Sequence, residues 1–374
     1  MAKKRTKPTG ERPERDDFTR LMLERASDAF SFDTEQRRRC VEDMKFAFVS
    51  GHQWDDHLTK KRRNRPCYEF NRIRQLIRRV TGQQLKNKPE IKVRAVEDND
   101  VETAEILNGL IKNIEVQSSA ENAYDTAFQW ACGGGYGVLR VTAQYESDDS
   151  FDQCLRIETV MDPMTVWFDP AARKFDRSDA RYVFVTEVIP LSEFKRRWPK
   201  AEVVDFTIAQ MDERDRHWWF DDSVRIAEYW YVEEEPDKLY QLSDGTVVKA
   251  EEYDPIADEA AAAGLTIQNT REVMRKCVYS TIVSGAGQLE EPTKWGGSMI
   301  PIVPQWGDLV SIEGEQIYSG MTRFGRDGQT IHNFELSTAV EVIAKLPNSP
   351  LKATPKMIEG LQSYYERMGY DDPP

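Results

Sequence analysis

Residues 131 to 137 read ACGGGYG, and no other stretch constrains the fold as strongly. Four glycines in seven positions either let a phosphate approach the backbone or let one stretch of backbone pass another. A phosphate-cradling loop needs a strand, then the glycines, then a helix whose N-terminal N–H groups and dipole face the anion. Here the order is reversed. A helical pattern precedes the glycines, and "YGVLRVTAQYE" follows them with Val138, Leu139, Val141, Ala143 and Tyr145 in strand-like order. No Lys-Ser/Thr pair follows the last glycine. The predicted role is therefore structural. Gly133 should stop the helix in the left-handed conformation, and Gly134 and Gly135 should turn the chain into a sheet.

The flanking patterns divide accordingly. Two helices are predicted over 15–50, the second opening on Asp33 as N-cap and closing on Gly51. A polar link leads to a helix from Asn71 with Ile73, Leu76, Ile77 and Val80 as its apolar stripe and Arg72, Arg74, Arg78 and Arg79 mainly around the other side. "KPEIKVRAV" alternates as a short strand, and helices over about 100–117 and 119–131 lead into the glycines. From there to about 310 short strands alternate with turns, interrupted by a short helix near Pro190 and a helical piece over 250–264. A long helix over 327–346 ends at Pro347. The fold class is α+β, and no internal repeat is evident.

Charge is unevenly spread. Residues 1–100 hold 25 Lys+Arg against 17 Asp+Glu, and the remaining residues hold 26 against 47. A uniformly basic DNA binder does not look like this. The first 14 residues read as a disordered basic arm, because so polar a segment buries too little to offset its ordering entropy. No run reaches the roughly 18 apolar residues of a membrane span, so no membrane association is expected.

Motifs for chemistry are missing. The five cysteines have no C-x-x-C pair and read as buried thiols in a reducing compartment. His52 and His57, near Asp55 and Asp56, lack the spacing of a metal site and read as solvated loop residues. No G-x-S-x-G elbow surrounds any serine, and acidic runs such as Asp221–Asp222 and Glu233–Glu235 read as solvated faces. The nine tryptophans suit a large core or broad subunit interfaces. No catalytic residue, cofactor or metal is expected.

Several motifs in a fixed order resemble the portal proteins, or head-to-tail connectors, of short-tailed double-stranded-DNA bacteriophages. These are "G-x-Q-W" before "R-P-x-x-x-x-N", an arginine-bearing helix, "N-K-P-x-I-x-V", the helix-to-"GGGYGVLRV" transition, "MDPMTVWFDP", "VRIAEYWYV", "GGSMIPIVPQWGD" and the late helix from "RFGRDGQTIHN". The resemblance runs from about residue 30 to the end. It implies a wing with a helical part (15–133) and a β-rich part (134–315), a stem-helix region (316–346) and the start of a clip (347–374). Family members are longer, so the chain is expected to be truncated relative to them, lacking the second stem helix, tunnel loop and crown.

The function so implied is a non-enzymatic ring, usually of twelve identical subunits, at one capsid vertex of the virion, assembled in the host cytoplasm. Such a ring passes duplex DNA non-specifically during packaging and ejection. It docks terminase and then the tail adaptor, and meets capsid and scaffold proteins. The stem helix carries Ile331, Phe334, Thr338 and Val342 as one stripe, with Leu336, Val340 and Ile343 beside it and Glu335, Glu341 and Lys345 as polar positions. In a ring Arg323, Arg326, Ile331, Phe334 and Val342 would meet the neighbouring subunit. Lys345, Lys352 and Lys356 would touch DNA, and the segment carrying Pro347, Pro350 and Pro355 would dock terminase or adaptor. Two alternatives are a metal-dependent nucleic-acid-processing enzyme and a monomeric scaffold or adaptor.

Overall fold

The computed structural model describes residues 17–63, 65–87, 90–95, 101–147, 149–203, 218–220, 222–257, 266–345 and 354–360. Its helices begin with α1 (Asp17–Phe32), α2 (Thr34–Phe48), α3 (Asp56–Lys61) and α4 (Ile73–Lys86). They continue with α5 (Val101–Ser118) and α6 (Ala120–Gly134). β1 (Tyr136–Tyr145) follows the glycines and lies centrally in a three-stranded antiparallel sheet, between β2 (Gln153–Thr159) and β11 (Ile302–Trp306).

The larger sheet is built on a long hairpin. β6 (Ser223–Leu242) and β8 (Ile267–Ser284) pair from Ile226↔Ser284 to Gln241↔Asn269. β3 (Val166–Phe168) and β4 (Tyr182–Pro190) extend the sheet beyond β6, and β10 (Thr293–Trp295) extends it beyond β8. Short strands β5 (Trp219–Phe220) and β7 (Val247–Lys249) pair with β6, and β9 (Gly287–Gln288) pairs with β8. β4 covers only Ser223 to Tyr231 of β6. The remainder of the hairpin extends as a ribbon, and a small cluster around Leu242 and Tyr253 closes its end. Helix α7 (Leu191–Arg197) follows β4, and α8 (Ala250–Tyr253) follows β7. A separate hairpin, β12 (Asp308–Ile312) with β13 (Glu315–Ser319), leads into the long helix α9 (Met321–Lys345).

The core joins helices to sheets. Met22, Leu23, Ala26, Ala29 and Phe30 of α1 pack on Trp167, Phe184, Trp218 and Tyr229. Apolar burial on this scale supplies the main driving force for folding. The aromatics stack in series, Phe184 on Tyr229 at 4.6 Å and Tyr229 on Tyr231 at 5.0 Å between centroids. A second cluster joins Cys40 of α2 to Tyr136, Val138, Trp230, Trp306 and Tyr318.

At the glycines the helix-then-strand order holds but the stop is displaced. α6 runs through Gly133 and Gly134, and Gly135 takes the left-handed conformation at φ 98°. Gly133 and Gly134 serve packing instead. α2 crosses α6 so closely that a Cβ on Gly133 would lie 2.5 Å from Met44 Sδ, and one on Gly134 2.5 Å from Cys40 Sγ. Gly135 then accepts the Gly307 N–H at 3.0 Å. The stretch is the crossing point of α6, β1 and the chain leading into α9.

Three further expectations are corrected. Ile91–Ala95 is not a strand; the side-chain amide of Asn108 accepts from Val93 N at 2.7 Å and donates to Val93 O at 3.0 Å. With its backbone pairing satisfied by one side chain, the segment has no strand partner. Helix α2 ends at Phe48, before Gly51, and the Asp33 carboxylate accepts from the Tyr318 hydroxyl at 2.9 Å and caps nothing. Only Cys40, Cys132 and Cys277 are buried; Cys67 and Cys154 are half-buried. No described helix is long and apolar enough to cross a membrane.

Candidate assembly site

Helix α9 packs with its polar side inward. Thr322, Gln329, Asn333 and Ser337 are buried, whereas Phe324, Ile331 and Val342 are 71%, 59% and 54% exposed. At 3.6 residues per turn, Gln329, Asn333 and Ser337 form one row along the helix. Phe324, Ile331 and Val342 run along the opposite side.

The polar row is buried because it pairs with an extended piece of backbone. Residues 66–72 run antiparallel to α9 and present alternate residues to it. Ser337 Oγ accepts from Tyr68 N at 3.0 Å. Asn333 Oδ1 accepts from Phe70 N at 2.8 Å, and Gln329 Nε2 donates to Phe70 O at 2.9 Å. Gln329 Oε1 accepts from Arg72 N at 2.9 Å. The periods match. Four helical residues rise about 6 Å, and two extended residues span about 6.6 Å. An i, i+4, i+8 row of side chains can therefore serve residues 68, 70 and 72 as a neighbouring strand would.

The N-terminal motifs supply the rest of the clamp. Asn333 Nδ2 donates to Gln53 Oε1 at 2.7 Å, and Gln53 Nε2 donates to Phe46 O at 3.1 Å. Trp54 Nε1 donates to Tyr68 O, and Asn71 Nδ2 to Ala47 O. Asn71 Oδ1 also accepts from Arg74 N at 3.0 Å, so Asn71 caps α4. Buried Arg62 donates to Thr338 Oγ1 at 3.2 Å and Glu341 Oε2 at 3.3 Å, with its guanidinium over the Phe334 ring.

The root of α9 is held by charge. Arg323 Nε donates to Asp43 Oδ2 at 2.9 Å, and Arg326 lies 3.6 Å from Asp43 Oδ1. Burial pushes the Asp43 carboxyl up to about 6, against the pull of Arg323 and Arg326. Asp33, which holds Tyr318 at the end of β13, is also raised to about 6 by burial, and Arg37 opposes the rise. Helix α2 thus grips both the strand before α9 and its first turns.

The structure distributes the residues singled out in the sequence as follows. Ile331, Phe334 and Val342 lie on α9, each 43% exposed or more. Arg323 and Arg326 point at α2 of the same chain. Lys345 is the last residue of α9. Lys356 and Pro355 are exposed in a short helix, α10 (Pro355–Ile358). Pro347, Pro350 and Lys352 lie outside the described residues. Glu341, expected only as a polar position, is nearly buried between Arg62 and Arg65. The sequence reading missed Gln329, Asn333 and Ser337. Their signal was the four-residue spacing of amide and hydroxyl side chains along one helix.

Among the described residues no group of His, Cys, Asp and Glu is arranged to hold a metal ion. A cavity of about 880 Å³ lies between the end of α4, residues 90–92, α5 and the start of α6.

A sequence profile of the phage P22-like portal protein family matches residues 23–374. The chain is 28% identical over 357 residues to a portal protein of Acyrthosiphon pisum secondary endosymbiont phage 1. That match covers 90% of this chain and 49% of the relative, so the chain spans about half the length of the curated relative it matches. Proteins of this family are structural, non-enzymatic components of the phage capsid. The protein described here belongs to the P22-like portal protein family.

Proposed function

We propose that the chain is the wing and first stem helix of a portal subunit, and that α9 carries the contact by which subunits close a ring at one capsid vertex. The supporting observation is the inverted helix. A helix that buries glutamine, asparagine and serine while exposing Phe324, Ile331 and Val342 is held by one partner and shaped for another. Ring closure by identical subunits requires two different, complementary patches on each copy, since a head-to-tail contact must repeat around the axis. The exposed stripe is one such patch.

Arg323 and Arg326 then act one step back, by fixing the angle at which α9 leaves α2. Phe334, with the Arg62 guanidinium over its ring and the Trp54 ring 6.4 Å away, steadies the middle of the helix at the edge of the stripe. The ring would conduct duplex DNA, with Lys345, Lys352 and Lys356 near its exit. The segment with Pro347, Pro350 and Pro355 would dock terminase during packaging and the tail adaptor afterwards. About a dozen subunits, capsid and scaffold contacts, and assembly in the host cytoplasm belong to the same reading.

Light scattering over a range of concentrations, with negative-stain images of the same sample, tests it. Rings with a central hole are expected. A chain that stays monomeric at every concentration, together with a longer natural form that also stays monomeric, would remove the reading.

A further inference from the structure

The α4 surface is a strongly charged patch that the ring contact leaves unused. Residues 60–94 hold thirteen Lys+Arg against two acidic residues, in a chain whose net charge is −13. Arg72 immediately before α4, and Arg74, Arg78, Arg79 and Lys86 on it, are all exposed. Among the described residues none of the five pairs with a carboxylate; Arg72 Nη1 donates to Gln75 Oε1 at 3.4 Å. Within the described residues this face is left without carboxylate partners, and its exposed cations are available to an external polyanion.

The five cations fall in two rows. Arg72, Arg79 and Lys86 are seven residues apart and share one side of the helix; Arg74 and Arg78, four apart, share another. At 3.6 residues per turn the rows are separated by roughly 120°. The ridge between them carries Gln75, already engaged by Arg72, and Gly82, beside which nothing lies within 4 Å. A smooth helical ridge about 10 Å across, flanked by two lines of guanidinium and ammonium groups, matches a duplex groove roughly 12 Å wide flanked by two phosphate strands.

We propose that the exposed face of α4 is a sequence-independent binding site for duplex DNA, with the Arg72–Arg79–Lys86 row on one phosphate strand and the Arg74–Arg78 row on the other. Arginine suits the task because its planar fork takes a phosphate in two hydrogen bonds. Half-exposed Leu76 lies beside the Arg72–Arg79–Lys86 row, and half-exposed Leu85, seven residues after Arg78, continues the Arg74–Arg78 row. A second copy of the chain is the competing occupant, but an apolar-led contact would not leave five cations unpaired around two leucines. The site borrows from the ring reading only that duplex DNA is at hand, and it does not require the ring to form.

Fluorescence anisotropy of the full chain with a short labelled duplex, titrated at several salt concentrations, tests it. Five phosphate contacts release counterions with a log–log slope of about −4.5, weakening binding roughly 500-fold between 50 and 200 mM salt. AT-rich and GC-rich duplexes should bind alike. Arg74→Gln/Arg78→Gln and Arg72→Gln/Arg79→Gln should each reduce the slope by about 2, with circular dichroism and solution mass unchanged. Arg196→Gln/Arg197→Gln on α7, two cations already paired with Glu193, should leave the slope as it is.

No binding at low salt, or a slope untouched by both α4 pairs, overturns the proposal. Loss of ring mass in the α4 variants with DNA binding intact would assign the face to a second copy and also overturn it. If no rings form while the α4 slopes shift as expected, the DNA site stands and the ring reading falls.

Discussion

Asp33 and two glycines show how much single residues carry here. The Asp33 carboxyl is raised to about 6, first by burial, while Arg37 opposes the rise. A carboxyl raised in the folded state binds a proton that the unfolded chain releases, so stability falls as pH rises from about 4 to 6 and then levels off. Asp33→Asn keeps an acceptor for Tyr318 and removes the buried charge. Its gain in stability should be on the order of 2 to 3 kcal/mol at pH 7.5 and should vanish near pH 4. Thermal melts at the two pH values check this, and a variant less stable than the parent at pH 7.5 would contradict it. The glycines divide by their surroundings. A Cβ on Gly137 would lie 2.0 Å from Ala127 O, whereas one on Gly82 would meet nothing within 4 Å. Gly137→Ala should therefore cost about 3 kcal/mol or more, and Gly82→Ala should raise stability by about 0.5 to 1 kcal/mol. Equal melting shifts in the two variants would show that the α6–β1 crossing is not as tight as described.

At the scale of elements, α9 and the 66–72 segment depend on one another. Asn333 accepts from Phe70 N and Gln329 Nε2 and donates to Gln53. Asn333→Leu keeps the volume but strands these groups in a buried site, at about 1 to 3 kcal/mol for each group left unpaired. Ile331→Asn, on the opposite side of the same helix, should change stability by no more than about 0.5 kcal/mol. Urea unfolding of the two variants gives the comparison. A stable Asn333→Leu would mean that the polar row is incidental to the docking of α9.

At the scale of the whole molecule, the prediction is a difference in assembly without a difference in folding. Phe324→Asp, Ile331→Asp and Val342→Asp each place a charge on the exposed stripe. Each should leave the monomer's circular dichroism and melting almost unchanged and shift the mass distribution away from rings. An aspartate desolvated at a repeated contact costs several kcal/mol per interface, multiplied around a closed ring. Intact rings in all three variants would move the subunit contact off α9. The unequal charge of the chain belongs to the proposed reading of a conduit that passes DNA without trapping it. An acidic majority repels phosphate, and cations are concentrated over 60–94.

Features that depend on neighbours along the chain were legible in the residues alone. α1, α2, α4, α5 and α6 lie within a few residues of their predicted spans because apolar spacing acts within a turn or two. The helix–glycine–strand order at 131–137 excluded a phosphate loop for the same reason. The ordered motifs also pointed to the portal family, which the comparison with relatives shows. Contacts between distant segments decided the rest. Whether 91–95 forms a strand depended on Asn108, and the need for glycine at 133 and 134 came from Met44 and Cys40 of α2. A hydrophobic pattern on α9 announces that one side is apolar, but it cannot say whether that side faces the core. The backbone of residues 66–72 settled the question, because its N–H and C=O groups needed partners and three polar side chains, four residues apart, supplied them.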